Sequence, residues 1–443
     1  SSAASDVYKR QGDEALVRRG RERNMKFIPF MILGLVFASS LSGADFKETA
    51  DRIQEQMMNR FADRYGIITD YRGLKGEIVL PTQEECKQNI PNAKGYWTPI
   101  ENGGFFTGLY LLGQCKRYER ERTEKNRTVI RHLVSGLCRL QDVAEIPAFI
   151  ARGVGEDGKC HYGSSSSDQF FPWVIGLDAY LNTDIPDAEE RKGLVRRLVD
   201  VAGELEKGKW RLPDESKIFG SCGNLAGSAY HAASRLLFFL QVLAKHTGDP
   251  RWNSLKTDLL KEKFRDGTTR LEKIAAGPGR MMSVWNVWWL VSDQYAVRCL
   301  FEEEKDPAVR KLLAESLRAS AEAAYPFVGY YKKFKPGLAF SADWHGMMET
   351  GPLLQRNGKE FQALYIRQLS KWKKMSPAIA AEKETLLPSF SAAWIIVLGG
   401  GREGIDAIRP DLRRMLELPD YAKLHYATFF YAENLIHFFD GEI

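Results

Sequence analysis

From Phe46 onward, apolar residues recur at helical spacing, marking one buried stripe per segment. Over 128–142, Ile130, Leu133, Leu137 and Leu140 fall on one face, with Arg131 and Arg139 off it. The segment 188–207 repeats this with Leu194, Leu198, Val201 and Leu205, whereas 224–245 is apolar on most sides, as an inner helix would be. The same pattern predicts helices over 46–66, 103–120, 168–181, 292–302, 307–323, 358–373, 389–398 and 424–439. Between helical patterns stand Asp249-Pro250 and Asp306-Pro307, where Pro suits the first turn of the second helix and Asp can cap it. A charged equivalent runs from Tyr118 to Thr128.

Strand alternation is weak, and no composition break marks a second domain. The expected fold is therefore all-α, in successive antiparallel hairpins. A closed (α/α) toroid of about six hairpins fits best, because it separates apolar inner helices from half-polar outer ones. An α-solenoid is the alternative, but the segments share no obvious repeat length. Irregular segments rich in Gly, aromatic and polar residues lie between helices at 95–104, 152–169, 219–224, 277–286 and 338–351, and in a toroid they would line a cleft at one end.

The first 44 residues read differently. Residues 1–24 lack apolar periodicity, and their opening SSAASDVYKRQ resembles translated sequencing adapter, so this stretch is expected to be non-native. Met25, Lys26, the apolar run 27–40 and Ser42-Gly43-Ala44 form a signal peptide, cleaved after Ala44, with 45–443 as the mature single domain. The run is shorter than the roughly 20 residues a bilayer span needs, so no stable membrane insertion is expected after cleavage. The destination is the periplasm or the medium.

The whole chain carries a net charge of +6, and the part before Asp45, with seven Lys/Arg against four Asp/Glu, contributes half of it. The remainder is too weakly basic to argue for nucleic acid. Cys86, Cys115, Cys138, Cys160, Cys222 and Cys299 form no CxxC and no Cys/His ligand set, so neither a metal nor another cofactor is expected. Cys115 and Cys138, on apolar helical faces, read as buried thiols; spacing leaves any disulfide pairing open. P-loop, GxGxxG, HExxH and GxSxG patterns are missing, which removes support for nucleotide chemistry, zinc proteolysis and the usual serine hydrolases.

Chemistry concentrates in the irregular segments. The stretch 150–170 crowds Arg152, His161, Tyr162, Asp168 and Gln169 between two helices: Arg binds carboxylates or hydroxyls, and His, Tyr and Asp handle protons. The plainer reading is a Gly-Ser loop whose Ser167 or Asp168 caps the next helix. The stretch 340–351 sets the carboxylates Asp343 and Glu349 beside Trp344 and His345, an acid next to a ring on which a sugar can stack. A third stretch, 279–294, carries Arg280, Trp285, Trp288 and Trp289, and its Ser292-Asp293-Gln294 echoes Ser167-Asp168-Gln169, as repeated capping or repeated cleft architecture. Glu101 and Asn102 precede the first clear hairpin, and His231 faces inward from an apolar helix, as a core histidine or a cleft residue.

In order, NGGFFTGLYL, IPAFIARG, DGKCHYGSSSSDQ, FGSCGNLAG and SADWHGMMETG resemble a family of exported six-hairpin proteins of polysaccharide-degrading bacteria, over roughly residues 95–400. More loosely, the chain is similar to the (α/α)-toroid unsaturated glucuronyl hydrolases and uronate polysaccharide lyases, though it lacks the Trp-Ala-Arg-Gly-Gln signature of the former. The resemblance implies a glycan partner. The residues suggest a glycoside hydrolase with Asp168 as acid or base and Asp343 its partner, Glu349 in reserve. Asn102, Arg152, Gln169, His231, Arg280 and His345 would contact substrate, and Trp285 and Trp344 would stack on it. The alternatives are a lyase, in which Arg152 and Asn102 neutralise a uronate while Tyr162 and His161 or His231 move protons, and a non-catalytic glycan-binding protein.

Overall fold

The computed structural model describes residues 46–348 and 355–439. The proposed leader with its cleavage point, and Glu349, lie outside the described residues.

Among the described residues the regular elements are helical apart from one pair of two-residue strands, Arg211–Leu212 and Gly223–Asn224. After α1 (Lys47–Gln56), which runs into a π turn, comes the first long hairpin, α2 (Gly103–Arg120) and α3 (Glu124–Asp142). Next are α4 (Ser167–Leu181) with α5 (Ala188–Lys207) and α6 (Tyr230–Thr247) with α7 (Pro250–Lys261). They are followed by α8 (Val287–Glu303) with α9 (Pro307–Ala324), then α10 (Gly358–Met375). The chain ends with α11 (Leu387–Gly399), α12 (Gly401–Glu417) and α13 (Phe430–Phe439).

Two populations of helix separate as the hydrophobic pattern requires. α2, α4, α6, α8, α11 and α13 are buried along nearly their whole length, whereas α3, α5, α7, α9 and α12 bury one stripe. The buried helices touch in a closed cycle: α2 on α4, α4 on α6, α6 on α8, α8 on α11, α11 on α13, and α13 back on α2. The half-polar helices lie outside their partners, α3 against α2, α7 against α6, α9 against α8 and α11, α12 against α11, and α1 against α13. Asp249 and Asp306 accept backbone N–H groups of α7 and α9, each followed by Pro at the first helical position, as their sequence predicts.

The connections sort with equal regularity. The buried helices α4, α6, α8 and α11 are each followed by a short link, 182–187, 248–249, 304–306 and Gly400, and α2 is followed by 121–123. Each buried helix is preceded by a long segment: 62–102, 143–166, 208–229, 262–286, 325–386 and 418–429. These long segments hold one another. Gln368 of α10 accepts from Asn92 and the Trp97 indole, His161 meets Glu215, and Tyr71 packs edge-on against Phe340. The N-terminal ends of the buried helices thus open under a shared cover of loops. No described helix is long and apolar enough to cross a membrane.

Candidate functional site

Arg235 is the fixed point of this end. It sits one turn inside α6, wholly buried, and a guanidinium there must find anions. Its Nε and Nη2 donate to the two carboxylate oxygens of Asp293 on α8, at 2.8 and 3.2 Å. Its Nη1 donates to Asp168 Oδ1 at 2.9 Å and to Ser167 Oγ at 3.0 Å on α4. The face of the cation lies over the rings of Phe171 and Trp289. The two Ser-Asp-Gln triplets therefore meet at one arginine. Neither caps a helix: Ser167 is the first residue of α4, which has no side-chain cap, and Ser292–Gln294 lies a turn inside α8.

The two carboxylates differ in exposure. Asp293 is closed off, and burial pushes it up to about 6 despite Arg235. Asp168 keeps 37 % of its side-chain area open, although crowding by protein is the largest influence on its titration. Burial would raise its pKa, but Arg235, with His231 and Arg152 further off, holds it below the ordinary carboxylate value. His231, one turn before Arg235, is pushed down to about 4 by burial and then by the Arg235 charge, so it is neutral at physiological pH. Its ring meets Trp289 edge-on at 5.7 Å, and its Nδ1 is buried without a hydrogen-bond partner.

A second cluster lies across α2 and α4. Asn102 Nδ2 donates to both oxygens of Asp70 at 3.1 Å, while Gln169 Nε2 reaches Asn102 Oδ1 at 3.4 Å and Gln169 Oε1 accepts Phe105 N–H. Burial, and then the Glu101 charge, lift Asp70 well above the ordinary carboxylate value. Arg152 spans the two clusters, donating to the Glu101 carbonyl at 2.9 Å and Ser166 Oγ at 3.1 Å, over the Tyr96 ring.

The remaining expected site residues are dispersed. His161 is held by Glu215 at 2.8 Å and the Lys159 carbonyl; burial lowers its pKa, but Glu215 prevails and raises it. Tyr162 is buried, its hydroxyl donating to the Ile90 carbonyl. Asp343 caps the turn Trp344–Met347 through His345 N–H and makes neither hydrogen bond nor ion pair with Asp168; its side chain is exposed. His345 bridges Asp343 and Glu85 at 2.7 and 2.6 Å. Trp344 corrects an expectation: it is fully buried, its indole N–H is given to the Val79 carbonyl, and its ring is stacked on His345, which leaves no open face for a sugar. Trp285 is exposed, with Lys373 Nζ 4.9 Å above its ring, and Arg280 is exposed on a 3₁₀ turn.

Asp70 and Arg235 escaped the sequence reading. An Arg inside the apolar run of α6 was the available signal for one; Asp70 lies in a stretch without periodicity and had none. At the opposite ends of α2, α4, α6 and α8 a cavity of about 310 Å³ is lined by Cys115, Asp178, Gln241, Tyr295 and Cys299. Its Asp178 is occupied by His246 at 2.7 Å, and none of the long segments lines it.

No protein-family model matches the chain, and no characterised protein matches it in sequence. Among solved structures it is similar to the α-1,6-mannanase GH76A of Salegentibacter sp. HEL1_6, at 13 % identity and a TM-score of 0.35, over 73 % of this chain and 98 % of that one. A likeness at that level assigns no chemistry.

Proposed function

We propose that this is an exported carbohydrate-active enzyme that cleaves glycosidic bonds by hydrolysis, at the loop-covered end of a six-hairpin (α/α) toroid. One observation carries the reading: Asp168 is a partly exposed carboxylate, kept ionised and fixed in place by the buried Arg235–Asp293 pair. A carboxylate so held serves as base or nucleophile. Asp343, its expected partner, is exposed and held below the ordinary carboxylate value by the His345 N–H, which suits a base better than an acid; the carboxyl that burial raises is Asp70, beside Asn102. Trp285, exposed, supplies a ring face, and Asn102 and Gln169 join α2 to α4 beside Asp168.

D168N is expected to lower kcat on a cleaved glycan by roughly 10²–10⁴-fold while leaving glycan binding in place. The acid limb of wild-type activity should fall below the ordinary carboxylate range, since Asp168 stays ionised there. Full activity in D168N ends the proposal.

A second reading has its own support. His231 is a neutral base beside Asp168, as β-elimination of a uronate polymer needs. Against it, both Nη groups of Arg152, the expected neutraliser of the uronate, already donate within the protein. Following reducing ends and ultraviolet absorbance together separates the two, because elimination alone creates an absorbing double bond. Glycan binding with neither signal would favour a non-catalytic role.

A further inference from the structure

Cys86 and Cys160 belong to different loop segments, yet their side chains meet in one small buried cluster with Ile100 and Tyr162. The segments are laced on either side of the meeting point. Glu156 N–H donates to the Pro81 carbonyl at 3.0 Å, Cys160 Sγ lies 3.7 Å from that carbonyl, and Gly155 N–H donates to the Cys160 carbonyl at 2.8 Å. Asp157 accepts Cys160 N–H at 2.7 Å, and Thr82 caps the short helix Gln83–Gln88 that carries Cys86. This lacing holds the two backbone segments side by side. The other cysteines have different company: Cys115 and Cys299 line the opposite cavity, Cys138 lies on α3, and Cys222 Sγ accepts Ser165 N–H.

We propose that Cys86 and Cys160 join as a disulfide when the chain folds under oxidising conditions, stapling the short helix Gln83–Gln88 to the segment that leads into Asp168. Contact with Cys86 lowers the pKa of Cys160, and the same contact raises that of Cys86, so Cys160 is the first nucleophile. Its thiolate attacks a low-molecular-weight disulfide such as oxidised glutathione, forming a mixed disulfide and releasing one glutathione thiolate. The Cys86 thiol, losing its proton to solvent, then attacks the Cys160 sulfur and expels the second glutathione. Two electrons pass from the protein to the glutathione disulfide, which is reduced to two thiols.

The test is to refold the protein in a glutathione buffer, isolate the native fraction, alkylate free thiols and map peptides without reduction. The expected result is a peptide pair linked through Cys86 and Cys160, with Cys115, Cys138, Cys222 and Cys299 alkylated. Reduction should lower Tm by roughly 2–8 °C, as C86S should without reductant. If refolding fails, the same map is made on chain directed to an oxidising periplasm and alkylated at lysis. Native protein in which Cys86 and Cys160 are both alkylated, or joined to other cysteines, overturns the proposal.

Discussion

Arg235 links three helices through partners 58 and 67 residues away in the chain, and the site is arranged round it. Removing the guanidinium leaves Asp293 buried without its counter-charge. R235M is therefore expected to cost about 3–5 kcal/mol of stability, read from urea denaturation, and R235K less, because it keeps the charge but loses the fork. A stability change near zero in R235M would mean that Asp293 simply takes up a proton. At this scale the sequence was partly legible. Asn102, Arg152, Asp168 and Gln169 stood out because polar, chemically versatile residues crowd short Gly-rich stretches, and the fold brings these four into two adjoining clusters. Arg235 and Asp70 did not stand out, because what gives each its character is a partner remote in sequence. Trp344 shows the converse error: an aromatic beside an acid reads as a platform until burial is known.

At the scale of elements, local signals did well where caps and stripes agree. α2, α5 and α9 run within a residue of the expected limits. The helix expected from 224 starts at Tyr230, since Asn224 pairs with Arg211 in the small hairpin. α12 was missed: Gly399-Gly400-Gly401 before it and Pro410 within it are breakers, overridden by a stripe of Ile405, Ile408, Leu412 and Met415 packed on the core. The packing of α2 on α4 depends on glycine. A Cβ on Gly108 would stand 2.0 Å from the Pro172 carbonyl oxygen. G108A should cost about 1–3 kcal/mol, whereas G193A on α5, with nothing within 4 Å, should gain about 0.5–1 kcal/mol. Paired thermal melts check both signs, and a neutral G108A would mean the helices can part at no cost.

For the whole molecule, closure of the cycle rests on chain ends that are far apart in sequence. α13 packs on α2 and α1, and its buried Glu433 accepts from Tyr110, Gln114 and Arg117 of α2. Ending the chain before α13 exposes both faces of that gap. The expected outcome is loss of the single cooperative unfolding transition, followed by near-ultraviolet circular dichroism; a truncated chain that melts like the full one would show the cycle need not close.

The sequence by itself determined most of the helices, the Asp249 and Asp306 caps, the division into apolar and half-polar members, and the stretches where polar, chemically versatile residues gather. All of these rest on periodicity and short-range hydrogen bonding, which a local window contains. Only the tertiary structure decided that the two Ser-Asp-Gln triplets serve one arginine, that Asp168 stays open while Asp293 is sealed, that Trp344 is buried, and that Cys86 meets Cys160. Burial and charge pairing join residues that the chain keeps far apart, and a buried charge acquires its pKa, its partner and its use only when the helices close around it.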